Sequence, residues 1–489
     1  MNKDKTRENL DKINYIKFKE EEVKNNLVRI GNLKLPKITP IKGAINSYFY
    51  RNKMEYSFSD SRWLSLEEIK SKTSFIDVAK CIVPLFTASS FSHAETIKIL
   101  EDTWHDFEHS DLVGIQTFDD VSILELFHGP TAAFKDFGLQ LAAAFFNEVL
   151  ESENKTAIVL GATSGDTGSA AIDACKAYKR ITSFIMLPNG NMSEVQRRQM
   201  STIDADNVFA LRINGTFDDC QDLVKHAFKQ RDFLNSDQYL LAVNSINWTR
   251  IVGQICYYFY AFNRLHSKGD LNFSVPTGNF GNVFACYSAH QMGLPINKIS
   301  VAVNDNDILH RFFSENDYSK QTVQETISPS MDISVASNFE RLVYDFFLDR
   351  DAGECAKLFT QFPVHAIELD EDVWKRKNEL FSSSRVNDEH TQKLIQETYA
   401  AHDYVLDPHT AIAMDEALKK SNENMHYIVL STAHPAKFPK VYEELDINIP
   451  STPKALMGLY DQTEKLHTFD AQYDQIVNFI NQNNPEVNV

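Results

Sequence analysis

Short apolar runs alternate with stretches of helical periodicity along most of the chain. Between residues 156 and 304 each such run precedes a helical stretch; the runs are TAIVLGAT, SFIMLP, NVFALRI, YLLAV, NFSVPTG and KISVAVN. A further run, YIVLSTA (427–433), follows the helical stretch HTAIAMDEALKK. Apolar runs of this length separated by helices are typical of buried strands in parallel sheets. The pattern predicts an α/β protein built from βαβ units, in which ligands bind at the strand-to-helix turns.

The first hundred residues lack this alternation. Residues 1 to about 100 are polar and irregular, with helical stretches at SLEEIKS (65–71) and SHAETIKILEDTW (92–104). We therefore predict a partly helical N-terminal region before the α/β part. A chain of 489 residues has material for roughly two to four structural units with a large core.

The balance of charges narrows the possible partners. The chain carries 67 acidic against 49 basic residues, a formal net charge of −18. Such a charge repels nucleic-acid phosphates and anionic membrane surfaces, so we expect neither as a partner. If the substrate is an anion, its pocket must be locally positive against this overall field.

Cysteine usage and the lack of long apolar runs favour a cytoplasmic protein. The six cysteines are scattered without a C-x-x-C pair, which predicts neither a zinc site nor a disulfide framework. No run of about 18 apolar residues is present, and the N-terminus lacks the apolar core of a secretory signal. We expect no bound metal.

Glycines concentrate at two strand-to-helix turns. Only 17 are present in the whole chain, yet GATSGDTG (161–168) and TGNFGN (277–282) both hold several. Backbone N–H groups at such turns can point at an anion, helped by the positive end of the helix. Neither turn matches a P-loop or a dinucleotide fingerprint. The alternative is an ordinary turn, with Asp166 or Thr167 capping the helix.

A single lysine, Lys135, lies at a predicted helix start in FHGPTAAFKDFGLQ (127–140). It could be a surface lysine in a first turn. Burial and the helix dipole would instead lower its pKa and make the amine reactive. Pyridoxal 5′-phosphate (PLP) requires such an amine, a phosphate cup and a partner for its pyridine nitrogen. TGNFGN could supply the cup.

Six segments, in this order, resemble the signature segments of the threonine synthase family: ELFHGPTAAFKDFGLQ, ATSGDTG, NSINWTRI, PTGNFGN, SPSMDISVASNFERL and LSTAHPAKFP. The resemblance covers roughly residues 65 to 445. It implies a fold type II PLP enzyme, with two domains of parallel-rich twisted sheets covered by helices and the cofactor in the cleft between them. We place a large PLP-binding domain at 101–150 and 265–489, a smaller α/β domain at 151–264, and the helical region at 1–100.

The resemblance also implies roles for individual residues. Lys135 is the Schiff-base lysine, and Thr432 bonds the pyridine nitrogen, although Ser431 is a neighbouring alternative. The cofactor phosphate is held by Gly278, Asn279, Phe280, Gly281 and Asn282. The substrate's α-carboxylate is gripped by the loop of Thr163, Ser164, Gly165, Asp166 and Thr167. An ionised carboxylate cannot bind another, so we expect Asp166 to cap the following helix instead.

The family's reaction converts O-phospho-L-homoserine and water to L-threonine and phosphate. The resemblance implies an anionic amino-acid substrate, and the departing phosphate requires a cationic clamp. Candidate clamps are Arg250, Arg197, Arg198 and Arg341. Two other functions stay open: a related PLP lyase that releases 2-oxobutanoate, and a non-catalytic PLP-fold binding protein.

Some features of the sequence depart from the family pattern or lie close to the predicted site. The family's S-T-R-G and D-G-G-L-Y-V-P stretches are absent from residues 1 to 60. His128 and His434 flank the predicted site, but a neutral histidine satisfied by backbone is the commoner state near such loops. In DPHTAIA (407–413), Asp407 is predicted to cap a helix whose first residue is a proline. The oligomeric state is not predicted.

Overall fold

The computed structural model describes residues 66–163, 165–190, 192–421 and 425–484. Its strands are β1 (Gly114–Phe118), β2 (Val121–Glu125), β3 (Thr156–Ala162), β4 (Ile181–Pro188), β5 (Val208–Asn214), β6 (Gln238–Leu241), β7 (Asp270–Pro276), β8 (Lys298–Val303), β9 (Phe381–Arg385), β10 (Met425–Ser431) and β11 (Leu466–Asp470).

The α-helices of the same ranges are α1 (Leu66–Lys70), α2 (Phe75–Thr87), α3 (His93–Thr103), α4 (Lys135–Glu153), α5 (Asp166–Lys176), α6 (Glu194–Ser201), α7 (Phe217–Gln230), α8 (Trp248–Leu265), α9 (Gly281–Gln291), α10 (Ile308–Glu315), α11 (Phe339–Leu342), α12 (Ala352–Gln361), α13 (Glu371–Lys375), α14 (Lys377–Leu380), α15 (Asp388–His402), α16 (Pro408–Lys420), α17 (Pro439–Leu445) and α18 (Tyr473–Asn483). None of them combines the length and apolar character needed to cross a membrane.

The strands form two sheets. One has the order β1-β2-β10-β7-β8-β9, and the other has the order β11-β5-β4-β3-β6. All neighbours pair in parallel except β1 and β2, which form an antiparallel hairpin. The predicted α/β class with parallel-rich sheets is confirmed.

The C-terminal part of the chain corrects the predicted division into domains. Strand β11 pairs with β5 in the smaller sheet, although residues 265–489 were assigned to the larger domain. Ile476 and Ile480 of α18 are buried in a core with β3 and β4 residues of the same sheet. A strand this short and polar takes its sheet from tertiary pairing, which periodicity does not reveal.

The position of helix α8 differs from the predicted division into domains at the boundary near residue 264. Its residues were assigned to the smaller domain, but it packs against α2, α4 and α9. The N-terminal part is helical where it is described, through α1, α2 and α3. Residues 1–65, including the region that lacks the family's opening motifs, lie outside the described ranges.

The sheet topology places three loops at one cavity. Parallel strands β7 and β10 are neighbours, so the segments that follow them emerge at the same edge of the larger sheet. The loop after β3 of the smaller sheet reaches the same cavity, through Asp166 and Thr167. The predicted ligand site therefore lies between the two sheets, at carboxyl ends of strands.

Candidate active site

The cavity unites most of the residues predicted from sequence. Lys135, Thr432 and residues 278–282 line it, as do Asp166 and Thr167 of the predicted carboxylate loop. It encloses about 590 Å³ of space between protein atoms, part of it open to solvent. Thr163 and Gly165 belong to the same loop without lining the cavity, and Ser164 lies outside the described residues.

Lys135 is the first residue of α4, and its side chain is only 11% exposed. Its Nζ lies 3.4 Å from Asp166 Oδ2 and 3.5 Å from Ser330 Oγ. Burial lowers the pKa of the Lys135 ammonium; the Asp166 carboxylate opposes this shift, and the charges on Lys437 and Arg250 add to it. The geometry is that of a held, partly desolvated amine and not of a surface lysine.

The turn before Lys135 is closed by its neighbour Asp136. This buried carboxylate accepts hydrogen bonds from Thr131 N at 2.9 Å and Thr131 Oγ1 at 2.6 Å. Burial raises the pKa of Asp136 to about 7. Gly129 is required at the turn because a Cβ there would lie 2.5 Å from Asp136 Oδ2.

Asp166 does not cap its helix, which corrects the expectation from sequence. Thr163 does this work: its hydroxyl accepts from Gly165 N at 3.1 Å and from Gly168 N at 3.0 Å. The Asp166 side chain instead turns into the cavity wall, and its contacts are Lys437 Nζ at 2.9 Å, Gln196 Nε2 at 2.8 Å and Ser330 Oγ at 3.1 Å.

Two lysines hold the Asp166 carboxylate ionised. Burial alone would raise the pKa of Asp166, but the ammonium groups of Lys437 and Lys135 hold it well below its usual range. Lys437 is fully buried and also donates to Thr131 O at 2.7 Å. Lys437 therefore ties the carboxylate loop to the turn that precedes Lys135.

Residues 278–282, here called the cradle, form the turn at the N-terminus of α9 and line the cavity. Phe280 has φ 64°, a left-handed conformation, and is fully buried. Asn282 Oδ1 accepts from the hydroxyls of Tyr257 and Tyr258. Its Nδ2 is consequently turned away from them and, within the described part of the chain, is buried without an acceptor. A buried donor of this kind is expected to meet a ligand.

The geometry separates Thr432 from Ser431. Ser431 Oγ accepts from Thr410 Oγ1 at 3.0 Å, whereas Thr432 lines the cavity. The backbone of Thr432 is joined to the lysine turn, since Phe134 N donates to Thr432 O at 2.9 Å. Of these two residues, Thr432 is the one that lines the cavity.

The histidine that reaches the cavity is His409. Its Nε2 accepts from Ser330 N at 3.2 Å, which leaves Nδ1 to donate to Asp407 at 2.9 Å. The predicted cap is confirmed: Asp407 accepts from His409 N at the start of α16. His128 pairs with Glu125, and His434 Nδ1 accepts from Ala436 N, so neither faces the cavity.

Of the candidate arginines, only Arg250 lines the cavity. Arg197 pairs with Glu464 at 2.9 Å, Arg198 pairs with Glu194 at 2.9 Å, and Arg341 donates to Ile246 O at 2.7 Å. In the described ranges no group of three His, Cys, Asp or Glu residues could hold a metal.

Sequence reasoning did not assign Ser330, His409, Gln196 or Lys437 to the site. Ser330 and Lys437 lie within the segments SPSMDISVASNFERL and LSTAHPAKFP that resemble the family. Their roles come from contacts between segments far apart in the chain, which local periodicity cannot show.

Comparison with known protein families supports the site. A family model described as "Pyridoxal-phosphate dependent enzyme" matches residues 119–358, and one described as "Threonine synthase, C-terminal" matches residues 410–480. These ranges contain Lys135, the 278–282 loop and Thr432. The cofactor prediction is confirmed.

Named relatives match over most of their length. Threonine synthase of Pseudomonas aeruginosa is 42% identical over 425 residues, which covers 86% of this chain and 90% of the relative. Threonine synthase of Saccharomyces cerevisiae is 41% identical over 403 residues, or 75% and 78% of the two chains.

Solved structures agree. PLP-bound threonine synthase from Brucella melitensis superimposes with a TM-score of 0.82 at 37% identity, covering 86% of this chain and 92% of that one. Yeast threonine synthase gives a TM-score of 0.80 at 34% identity, covering 87% and 92%. Fold, cofactor and relatives therefore agree, and the chain belongs to the threonine synthase family of PLP-dependent enzymes.

Proposed function

We propose that this chain converts O-phospho-L-homoserine and water to L-threonine and phosphate in the cavity around Lys135. The observation that carries the proposal is the convergence of Lys135, the 278–282 cradle and Thr432 on one cavity. The buried Asn282 Nδ2 and the N–H groups of the cradle fit a phosphate. When bound, PLP supplies an aldehyde for the amine and a ring that withdraws electrons.

Lys135 holds and moves the protons of the reaction. Its lowered pKa reduces the free energy needed to present a neutral amine. The contacts to Asp166 and Ser330 direct Nζ into the cavity. From there it serves as acid and base at the substrate's α- and β-carbons.

The loop from Thr163 to Thr167 binds the substrate's α-carboxylate. It stands at the N-terminus of α5, where backbone N–H groups and the helix dipole favour an anion. Asp166 would repel that anion if its charge stood alone. Lys437, 2.9 Å from Asp166 Oδ1, supplies the compensating charge.

Thr432, which lines the cavity, would hydrogen-bond the pyridine nitrogen of the cofactor. A hydroxyl, unlike a carboxylate, does not hold that nitrogen protonated, so the ring withdraws electrons more weakly.

We place the activity in the cytoplasm, because all six cysteines are free thiols.

The test is the product balance. Purified protein given O-phosphohomoserine should release threonine and phosphate in equal amounts, and Lys135→Ala should abolish both. Phosphate released with 2-oxobutanoate would instead establish the lyase alternative. A protein that binds PLP without turning over the substrate would establish the non-catalytic alternative.

A further inference from the structure

A second cavity lies behind the turn that precedes Lys135. Its walls come from Pro130 and Thr131 of that turn, from the end of α5, from α6, from residues 105–108 after α3 and from residues 454–462. It encloses about 1230 Å³ of space between protein atoms, part of it open to solvent. Within the described residues, this cavity and the one around Lys135 share no lining residue.

Gln199 lines the second cavity and has one unused acceptor. It is only 6% exposed, and its Nε2 donates to Thr131 O at 2.9 Å. That contact fixes Oε1 as the other end of the amide, and no donor among the described residues reaches it. Buried polar atoms normally have a hydrogen-bond partner. A ligand that brings N–H groups into the cavity would supply one.

The charges that line the second cavity favour a ligand that carries both signs. Asp173 and Lys176 form an ion pair with each other. Asp106 and Glu108 pair with no lysine or arginine in the described ranges, and the exposed Lys454 has no carboxylate within 4.0 Å there. The backbone N–H that follows Lys454 donates to Glu108 Oε1 at 3.0 Å, so these opposite charges lie on neighbouring segments. The ammonium and carboxylate of an α-amino acid complement such an arrangement.

The rest of the lining is largely apolar. Its larger members are Phe107, Pro130, Ile203, Met457 and Leu459. Burial of one aliphatic ligand side chain against such a wall contributes about 1.5–3 kcal/mol. A phosphate ester or nucleotide fits poorly, because three carboxylates line the cavity against two ammonium groups.

Thr131 connects the second cavity with the active site. It lines the cavity, and its N–H and hydroxyl donate to Asp136, the neighbour of Lys135. Its carbonyl oxygen accepts from Gln199 and, at 2.7 Å, from Lys437. A ligand that bonds Gln199 therefore contacts the residue pair that holds the lysine turn in place.

We propose that the second cavity binds a zwitterionic amino acid with an apolar side chain, and that its occupancy is transmitted to the lysine turn through Thr131. The ligand's ammonium donates to Gln199 Oε1, its carboxylate meets Lys454, and its side chain lies on the apolar wall. This site is separate from the substrate's and does not rest on the proposed function.

The test uses holoenzyme whose cofactor has been fixed by borohydride reduction, so that no aldehyde is left to react with an amino acid. Calorimetric titration with L-leucine should show one saturable site with a Kd below about 1 mM. Three compounds each lack one feature of leucine. They are 4-methylpentanoate without the ammonium, 3-methylbutylamine without the carboxylate, and glycine without the apolar side chain. Each should bind at least about fivefold more weakly.

A charge reversal at Lys454 tests the contact with the ligand's carboxylate. Lys454→Glu should weaken leucine binding about fivefold or more and should not weaken the binding of 3-methylbutylamine. Lys440→Glu makes the same charge change at an exposed lysine that does not line the cavity, and is the matched control.

Removal of the acceptor at Gln199 tests the contact with the ligand's ammonium. Gln199→Met should weaken leucine and 3-methylbutylamine about tenfold and leave 4-methylpentanoate unchanged. Because Gln199 also bonds Thr131, the melting temperature of this variant is measured. If Gln199→Met does not fold, Lys454→Glu still decides the question.

The link to the lysine turn has its own readout. Saturating leucine should slow amide hydrogen exchange in residues 127–137 of the reduced holoenzyme, because a held Thr131 opposes local opening of the turn. Unchanged exchange there at full occupancy would refute the link.

Three results would overturn the site itself. One is the absence of saturable leucine binding up to about 10 mM. Another is glycine or 4-methylpentanoate binding as tightly as leucine. The third is equal leucine affinity in Lys454→Glu and Lys440→Glu.

Discussion

At the scale of single residues, the site depends on how one buried carboxylate is balanced. Asp166 contacts Lys437 at 2.9 Å and Lys135 at 3.4 Å. When the amine of Lys135 is neutral, Lys437 is the cation left in contact with Asp166. Lys437 thus preserves the ionised state of Asp166 while Lys135 changes its own.

We predict that Lys437→Met raises the KM for O-phosphohomoserine about tenfold or more and changes kcat less. The physical reason is that Asp166 would then carry an uncompensated charge beside the substrate's carboxylate, and an unpaired buried charge costs about 2–5 kcal/mol. Steady-state kinetics measure the effect. Lys440→Met, three residues away and exposed, is the control.

The double variant Asp166→Asn/Lys437→Met separates electrostatics from folding, because it removes both charges at once. Its KM should lie between that of the wild type and the raised KM of Lys437→Met. If Lys437→Met and Lys440→Met have the same KM, the role given to Lys437 is wrong.

A second residue-scale prediction concerns Thr432. Thr432→Asp should keep the fold and the cofactor but shift the visible absorbance band, because a carboxylate favours a protonated ring nitrogen. Turnover should fall by at least about tenfold, or about 1.4 kcal/mol in the barrier. Thr432→Ser retains the hydroxyl and should keep the spectrum. An unchanged spectrum and rate in Thr432→Asp would count against this placement of the ring nitrogen.

At the scale of elements, apolar runs predicted seven strands of the two sheets, β3 to β8 and β10, and did not predict β1, β2, β9 and β11. Apolar runs such as TAIVLGAT and KISVAVN coincide with β3 and β8, because strands that are buried on both faces consist mostly of apolar residues. The segment FSSSR forms β9 only because β8 offers it a partner. Helix α2, with Pro84 in its interior, was also missed; its apolar face becomes evident only against α8.

The loops show the same limit. The glycine-rich turns were correctly placed between strand and helix, since glycine and spacing are local signals. The prediction that the Asp166 side chain caps the following helix was wrong, because its partner Lys437 is 271 positions away and the ion pair exists only in the folded chain. Local sequence favoured a cap, and the tertiary contact was stronger.

An element-scale prediction tests the cradle. A Cβ at Gly278 would lie 3.1 Å from Met331 Cα and from Ser330 O, both backbone atoms that cannot move aside cheaply. Gly278→Ala should therefore weaken PLP binding about tenfold, or about 1.4 kcal/mol. At Gly281 the nearest atom to such a Cβ is Asn338 Nδ2 at 3.4 Å, an ordinary contact. Gly281→Ala should have a smaller effect, and the reverse order would contradict the cradle geometry.

At the scale of the whole molecule, the charge around the cavity is opposite in sign to the net charge of the chain. The chain carries a net charge of −18, yet Lys135 and Arg250 line the cavity, and the carboxylate that lines it, Asp166, is paired with Lys437. This satisfies the requirement, evident from composition, that a pocket for an anion be locally positive. The overall charge could be read from sequence, but its local reversal required the fold.

The packing of β11 and α18 on the smaller sheet leads to a prediction for global stability. Ile480 of α18 is fully buried against residues of β3 and β4. Ile480→Ala should lower the free energy of unfolding by about 2–5 kcal/mol, as measured by urea denaturation. Leu418→Ala, at a side chain that is 46% exposed, should cost far less. Equal losses would show that this segment is not part of the core.

Covalent labelling identifies the amine that bonds the cofactor, which we assign to Lys135. The holoenzyme is reduced with borohydride, digested, and mapped by mass spectrometry to find the lysine that carries the cofactor. We expect the label on Lys135. A label on Lys437, the other lysine in contact with Asp166, or the absence of any labelled lysine, would contradict it.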